Sequence, residues 1–285
     1  MSYETLISVQ EAAKHLHDPN WVFIDCRYTL GDPEKGLRDY LQAHIPGAVY
    51  AHLDKDLSGK VIPGKTGRHP LPDPIDFDKT MSRLGVSQES QVVAYDEQTG
   101  AMAAARLWWL LKWAGHNNVA VLDGGFRAWI ANGLPVATGN ESRASKEFHG
   151  KYNHKLVASA DDLLATIGSR SCKIVDSRTR DRYRGENETI DPKAGHIPTA
   201  ISLPYTENLD TDGFFRPPQI LRERFASIAE QYPPESIVFY CGSGVTAAHN
   251  VLAFAHAGMG MPKLYPGSWS EWITDESRPI ATGDE

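Results

Sequence analysis

A cysteine ends the most strand-like run in the chain. Ile237-Val238-Phe239-Tyr240 is apolar, β-branched and aromatic; Cys241 follows, then Gly242-Ser243-Gly244-Val245-Thr246, then a helix-like segment from Ala247 to Ala257. This order lets several backbone N–H groups converge on one thiol beside the positive end of a helix macrodipole. Both effects favour thiolate over thiol, and the thiolate is the nucleophile. A buried cysteine is often mere packing, but a glycine loop opening at Cys241 is a poor place for packing alone. Cys26 lies at a strand end and Cys172 precedes a strand, so structural roles suffice for both.

The elements around Cys241 belong to a unit that occurs twice. Ile24-Asp25-Cys26-Arg27 recurs as Val175-Asp176-Ser177-Arg178, and Ala43-His44-Ile45-Pro46 as Gly195-His196-Ile197-Pro198. Val92-Val93-Ala94-Tyr95-Asp96 matches Ile237 to Cys241, and Gly124-Gly125-Phe126-Arg127-Ala128-Trp129 matches Gly267-Ser268-Trp269-Ser270-Glu271-Trp272. Leu134-Pro135-Val136-Ala137-Thr138-Gly139 answers Arg278-Pro279-Ile280-Ala281-Thr282-Gly283. One short match is cheap; a series in one order at an offset of about half the chain is not, and the period is too long for a solenoid. We expect a first domain over 1–140, a polar linker over 141–157 and a second domain over 158–285.

Within the second half, short buried-strand runs alternate with helical ones. Helices are expected over Asp161–Ile167, with Ser159 as N-cap, over Pro218–Gln231 and over Thr246–Ala257. Strands are expected over Lys173–Asp176, Ile201–Leu203, Ile237–Tyr240 and Lys263–Tyr265. Alternation of this kind gives an α/β fold, a parallel sheet with helices on both faces. Its functional crevice lies beyond the carboxyl ends of the strands, where Cys241 and the residues after Asp176 fall.

The halves differ at the critical point. Asp96 stands where the second half has Cys241, and its loop, Glu97 to Met102, is longer. The first half is therefore expected to be non-catalytic. Because it keeps His44 and Asp25, their counterparts His196 and Asp176 are read as structural. Trp272 pairs with Trp129 and is read as core; Trp269 could wall a pocket or fill the core.

Composition excludes several classes. Hydrophobic residues make up 41% and charged residues 23% of 285, ordinary for a globular chain. A formal charge of −7 advertises no nucleic-acid face. No apolar run approaches the roughly 20 residues of a membrane span, and the first residues lack the pattern of a signal peptide. Three cysteines without CxxC spacing argue against a disulfide framework or a zinc site. A reducing cytoplasm fits best.

The two-domain layout, the paired Asp-x-Arg and His-Ile-Pro motifs and the single cysteine loop resemble the rhodanese superfamily of sulfurtransferases, over essentially the whole chain. The resemblance implies two tandem rhodanese-like domains and a persulfide carried on Cys241. It implies no cofactor and no metal. Backbone N–H groups from Gly242 onward would cradle the charged sulfur, with Gly242, Gly244, Val245 and Thr246 lining the donor site. The loop Cys241-Gly242-Ser243-Gly244-Val245-Thr246 resembles the version that uses 3-mercaptopyruvate, because thiosulfate-type loops carry basic residues at the places of Gly242 and Ser243. Arg182 matches the arginine that holds the donor carboxylate, and Arg184 is a weaker second. A further arginine usual before Gly-His-Ile-Pro is missing: Thr189 to Ala194 holds none, which leaves Arg184, Lys193 or a first-half residue to substitute.

Ser243 would relay a proton, with His69 and Asp54 completing the chain from the first half. The irregular stretch from Asp54 to Pro74 would then be a lid; a surface loop with a solvated histidine is the bland alternative. Lys60, Lys65 and Arg68 could add positive charge at the mouth. Expected partners are a small-molecule sulfur donor and an acceptor, a thiol such as thioredoxin or cyanide, with neither nucleic acid nor membrane, and a monomer by default. Thiosulfate as donor is the main alternative. A phosphatase is disfavoured because Ala247 stands where phosphate-gripping loops carry arginine. A non-enzymatic sulfur-relay or binding module is the third reading.

Overall fold

The computed structural model describes residues 2–284 apart from Arg170. The chain forms two compact units. Unit 1 comprises Met1–Gly59, Pro72–Asn153 and Thr211–Phe215; unit 2 comprises Lys60–Leu71, His154–Asp210 and Arg216–Glu285.

Unit 1 runs β1 (Leu6–Ile7), α1 (Val9–Ala13), β2 (Trp21–Asp25), α2 (Lys35–Gln42), β3 (Val49–Tyr50), α3 (Leu53–Asp56), α4 (Pro74–Arg83), β4 (Gln91–Tyr95), α5 (Ala103–Trp113), β5 (Val119–Leu122) and α6 (Gly125–Ala131). Its sheet is parallel in the order β1-β5-β4-β2-β3. Every residue of β2, β4 and β5 is buried, as a parallel sheet covered on both faces requires.

Unit 2 runs α7 (Ala160–Thr166), β6 (Lys173–Asp176), α8 (Arg180–Arg184), β7 (Ile201–Ser202), α9 (Pro218–Ala229), β8 (Ile237–Tyr240), α10 (Thr246–His256), β9 (Lys263–Leu264) and α11 (Ser268–Trp272). Its sheet, β7-β6-β8-β9, is also parallel. A bridge from Val157 to Leu264 stands where β1 pairs with β5 in unit 1. The strands predicted at Lys173 and Ile237 match residue for residue, and Ser159 caps α7 in a reciprocal capping box with Asp162.

The stretch read as a linker over 141–157 divides between the units. Residues up to Asn153 are bound into unit 1. Lys146 N–H donates to the Ser82 carbonyl, Lys151 N–H to Ala114 and Asn153 N–H to Trp113. The Tyr152 hydroxyl reaches Asp78 at 2.7 Å. A polar composition misled here: the strap binds through its backbone and through two aromatic side chains set among polar residues. Phe148 is buried, and Tyr152 packs edge-on against Trp113 at 4.5 Å between ring centres.

The repeated motifs hold each sheet to its loops. Arg27 and Arg178 each fold back on the aspartate two residues earlier, with Nη2–Oδ2 distances of 2.7 and 2.6 Å, and each also donates to a carbonyl, of Ala43 or Gly195, at 2.6 Å. His44 stacks on Tyr40 and His196 on Tyr183, at 4.1 and 3.8 Å between rings. Both histidines are fully buried, and the same device in each unit makes their role architectural. Trp269 and Trp272 are fully buried in the unit 2 core, so Trp269 is core rather than pocket wall.

Candidate active site

β8 carries Cys241 to the end of the unit 2 sheet, and four residues, 242–245, separate it from α10. Gly244 turns the loop in the left-handed region, φ +75°; a Cβ there would lie 2.3 Å from the Pro266 carbonyl oxygen, so only glycine fits. The turn aims the Gly244 N–H at Cys241 Sγ, 3.2 Å away. Val245 is buried beside the turn and Thr246 opens α10.

The cysteine backbone is fixed from behind by α11. Cys241 N–H donates to Ser268 Oγ at 3.1 Å, Trp269 N–H to the Cys241 carbonyl at 3.0 Å, and Ser270 N–H to the Gly242 carbonyl at 2.9 Å. Ser268 adopts φ +55°, a left-handed conformation costly for a residue with a Cβ. That strain persists because its hydroxyl is committed twice, accepting from Cys241 and donating to Tyr265 O at 2.9 Å. Sequence reasoning missed Ser268 and Ser270. Their signal was the match of Gly267–Trp272 to the glycine-rich Gly124–Trp129.

Segment 60–71 belongs to unit 2 and brings His69 to the loop. His69 Nδ1 and Ser243 Oγ share a hydrogen bond of 2.8 Å, and both residues are buried. The serine hydroxyl donates when Nδ1 is bare and accepts when it is protonated. The segment is seated by Gly67, where a Cβ would lie 2.5 Å from the Gly267 carbonyl oxygen, and by the Arg68 N–H, which donates to Ser270 Oγ at 3.1 Å. Asp54 lies on α3 in unit 1, where its carboxylate accepts from the Tyr28 hydroxyl at 3.0 and 3.2 Å.

Two guanidiniums adjoin the loop. A Cβ on Gly242 would stand 2.9 Å from Arg68 Nη2 and 3.6 Å from Arg182 Nη2. α8 presents Arg182, which pairs with Glu188 at 2.9 to 3.2 Å and with Asp191 at 3.1 Å. Burial opposes charge on Glu188, yet the N–H groups of Asp191 and Ile190 and the Arg182 guanidinium hold its carboxyl below the usual range. Asp191 also pairs with Arg68, so one carboxylate bridges both arginines. Arg184 turns instead to Asp284 and Glu186, and its side chain is 40% exposed. The sequence left both Glu188 and Asp191 unread, since acids in a loop look like solvated surface.

The remaining cysteines sit in inert surroundings. Cys26 is fully buried and burial pushes its thiol well up; Cys172 is pushed up for the same reason. Among the described residues no cluster could hold a metal ion, and no helix is long and apolar enough to cross a membrane.

Known proteins supply the family. The rhodanese-like domain matches residues 8–132 and again 159–275. A Pseudomonas aeruginosa protein named "Probable 3-mercaptopyruvate sulfurtransferase" is 47% identical over 285 residues, with 100% of both chains covered. A Mycobacterium tuberculosis relative, provisionally named a thiosulfate sulfurtransferase, is 37% identical over 282 residues and 98% of each chain. The solved 3-mercaptopyruvate sulfurtransferase from Leishmania major superposes with a TM-score of 0.85 at 34% identity, covering 97% of this chain and 76% of that one. Two matched domains in one chain, each with its own parallel sheet, make this protein a tandem member of the rhodanese-like family.

Proposed function

We propose that the chain is a sulfurtransferase that takes sulfur from 3-mercaptopyruvate onto Cys241 and passes it to a thiol or to cyanide. The observation that carries this reading is the juxtaposition at one loop of Cys241, the Ser243–His69 pair and two guanidiniums. In the first half-reaction the Cys241 thiolate attacks the donor thiol sulfur. The new Sγ–S bond forms as the donor C–S bond breaks, and its electron pair leaves on the carbon as the pyruvate enolate. The donor thiol proton travels through Ser243 and His69 to that enolate, giving pyruvate and an anionic persulfide. In the second half-reaction an acceptor thiolate or cyanide attacks the outer sulfur, and Cys241 leaves again as thiolate. Covalent capture splits one difficult transfer into two easier ones.

Each residue has a distinct part. The Gly244 N–H, 3.2 Å from Sγ, stabilises negative charge on sulfur. Gly242 keeps the approach open, since any side chain would strike Arg68. Arg182 offers its Nη1 edge to the donor carboxylate while Glu188 and Asp191 fix its other edge. The family resemblance assigns Asp54 to the same catalytic set.

Thiosulfate is the second reading: the same guanidiniums suit a dianion, and the M. tuberculosis relative carries that name. Catalytic efficiency with the two donors decides between them. Mercaptopyruvate is expected to win by a wide margin in the wild type. Arg182→Ala should erase most of that margin, costing on the order of 2–4 kcal/mol in transition-state binding. A preference for thiosulfate that survives the substitution would reverse the donor assignment.

A further inference from the structure

We infer that unit 1 holds a binding site for a small organic carboxylate, in a cavity where Arg143 takes the charged end of the ligand. This inference goes beyond sulfur transfer and does not depend on it. The cavity has a volume of about 470 Å³ and is lined only by residues of unit 1. It is bounded by α2, β3, α3, the end of α4 and the strap over 140–143. Its size lies within the roughly 300–1,000 Å³ of small-molecule sites.

The charges around the cavity are answered, with one exception. Arg83 pairs with Asp56, and Lys55 with Glu34 at 2.6 Å. Glu141 turns to the buried His44, 3.8 Å from its Nε2. Arg143 has no carboxylate partner among the described residues. Its Nη2 donates to the Pro19 carbonyl at 3.2 Å, and Nε and Nη1 stay unspent. Burial lowers its pKa, and no acid offsets that pull. A half-buried guanidinium left in this state suits a planar oxyanion from outside the chain.

A second donor lines the same cavity. His52 is 3% exposed, and its Nδ1 accepts the Asp54 N–H at 3.1 Å. The neutral ring therefore carries its proton on Nε2. That atom is buried without a hydrogen-bond partner among the described residues; Glu34, 3.5 Å away, is held by Lys55. Leu37, Val49 and Leu84 supply apolar wall for the body of the ligand.

The strap is seated on both sides of Arg143. The Glu141 N–H donates to the Tyr40 hydroxyl at 3.1 Å, and the Lys146 N–H to the Ser82 carbonyl at 3.1 Å. Gly85, at φ +77°, lets it come close: a Cβ there would lie 2.9 Å from Arg143 Cβ and 3.1 Å from the Ala144 carbonyl oxygen. The arginine is thus preset rather than trailing in solvent.

The test titrates the full chain with benzoate and with benzamide, its uncharged isostere, while backbone amide NMR shifts are followed. Benzoate should move the amides of Leu84, Gly85 and Ala144 saturably and bind about 10- to 100-fold more tightly than benzamide, the scale of one charge-assisted contact. Arg143→Met should remove that advantage while changing benzamide affinity by less than about threefold, and Arg143→Lys should keep part of it. Equal affinity for the two probes in the unsubstituted chain would overturn the inference, and this arm stands even if Arg143→Met fails to fold. Undiminished benzoate binding by a folded Arg143→Met would also overturn it. So would benzoate shifts confined to the Cys241 loop, since the probe would then have found only the arginines there.

Discussion

Asp96 in unit 1 and Cys241 in unit 2 occupy the same place, one residue beyond a buried central strand, yet their loops do opposite things. The Asp96 carboxylate accepts the N–H groups of Gly100 at 2.8 Å, Met102 at 3.0 Å and Gln98 at 3.3 Å. It fills its own cradle and spends the loop's donors on itself. Six residues, 97–102, separate it from α5, against four, 242–245, before α10. The shorter loop presents Cys241 Sγ to the Gly244 N–H and leaves the Gly242 face to arginines from elsewhere in the unit. The comparison teaches that the architecture, with its Asp-Arg chelates and stacked histidines, is separable from the chemistry. Chemistry requires a nucleophile, a short loop and groups delivered by other segments.

The largest expected effect breaks the comparison at its centre. Cys241→Ser should lower turnover by about 10³-fold or more, since covalent capture is lost. Adding Asp96→Cys to that variant should restore nothing, because a thiol there faces a six-residue loop without a serine–histidine pair. Steady-state assays of the single and double variants check both statements; recovery in the double variant would mean that the cradle alone is sufficient.

His69→Ala comes next. It removes the partner of Ser243 at 2.8 Å and should cut kcat about 10²-fold or more, the usual scale for a general acid–base group. Ser243→Ala should match it, and the double variant should be little worse than either single one if the two act as a unit.

A smaller effect separates the loops by pH. Burial raises the Asp96 carboxyl to about 6, against the opposing pull of its backbone amides. Its folded value exceeds its unfolded one, so its contribution to stability is fully present below pH ~4 and is lost as pH rises through about 6. The stability of wild type minus that of Asp96→Asn should therefore fall by roughly 2–3 kcal/mol over that window. Denaturant midpoints at several pH values measure it; a flat difference would show that Asp96 carries no such penalty.

The smallest effect concerns the strained seat of the cysteine. Ser268→Ala leaves the buried Cys241 N–H without its acceptor and should cost about 1–2 kcal/mol in stability. A larger loss in kcat than in KM should accompany it, because Sγ loses its fixed position while the arginines stay.

Much of this was legible in the sequence, for identifiable reasons. Ile237–Tyr240 and Lys173–Asp176 are short apolar runs between turn residues, so their strands stand out. Ser159 announces α7 through its capping box with Asp162. The repeat exposed the shared architecture because buried Asp, Arg and His have few substitutes. The five-residue helices α8 and α11 escaped, since so short a span has no readable period. The strap up to Asn153 escaped because its two anchoring aromatics, Phe148 and Tyr152, stand singly among polar residues and much of the rest is backbone bonding. Arg68 was legible as a charge at the mouth, but its pairing with Asp191 was not, because the two lie 123 residues apart.

The most direct measurement is peptide mapping by mass spectrometry after the full chain meets one equivalent of 3-mercaptopyruvate without acceptor. The account predicts one added sulfur on the peptide bearing Cys241, none on those bearing Cys26 or Cys172, and an equal amount of pyruvate. Pyruvate released with Cys241 unmodified, or sulfur lodged on either other cysteine, would contradict it.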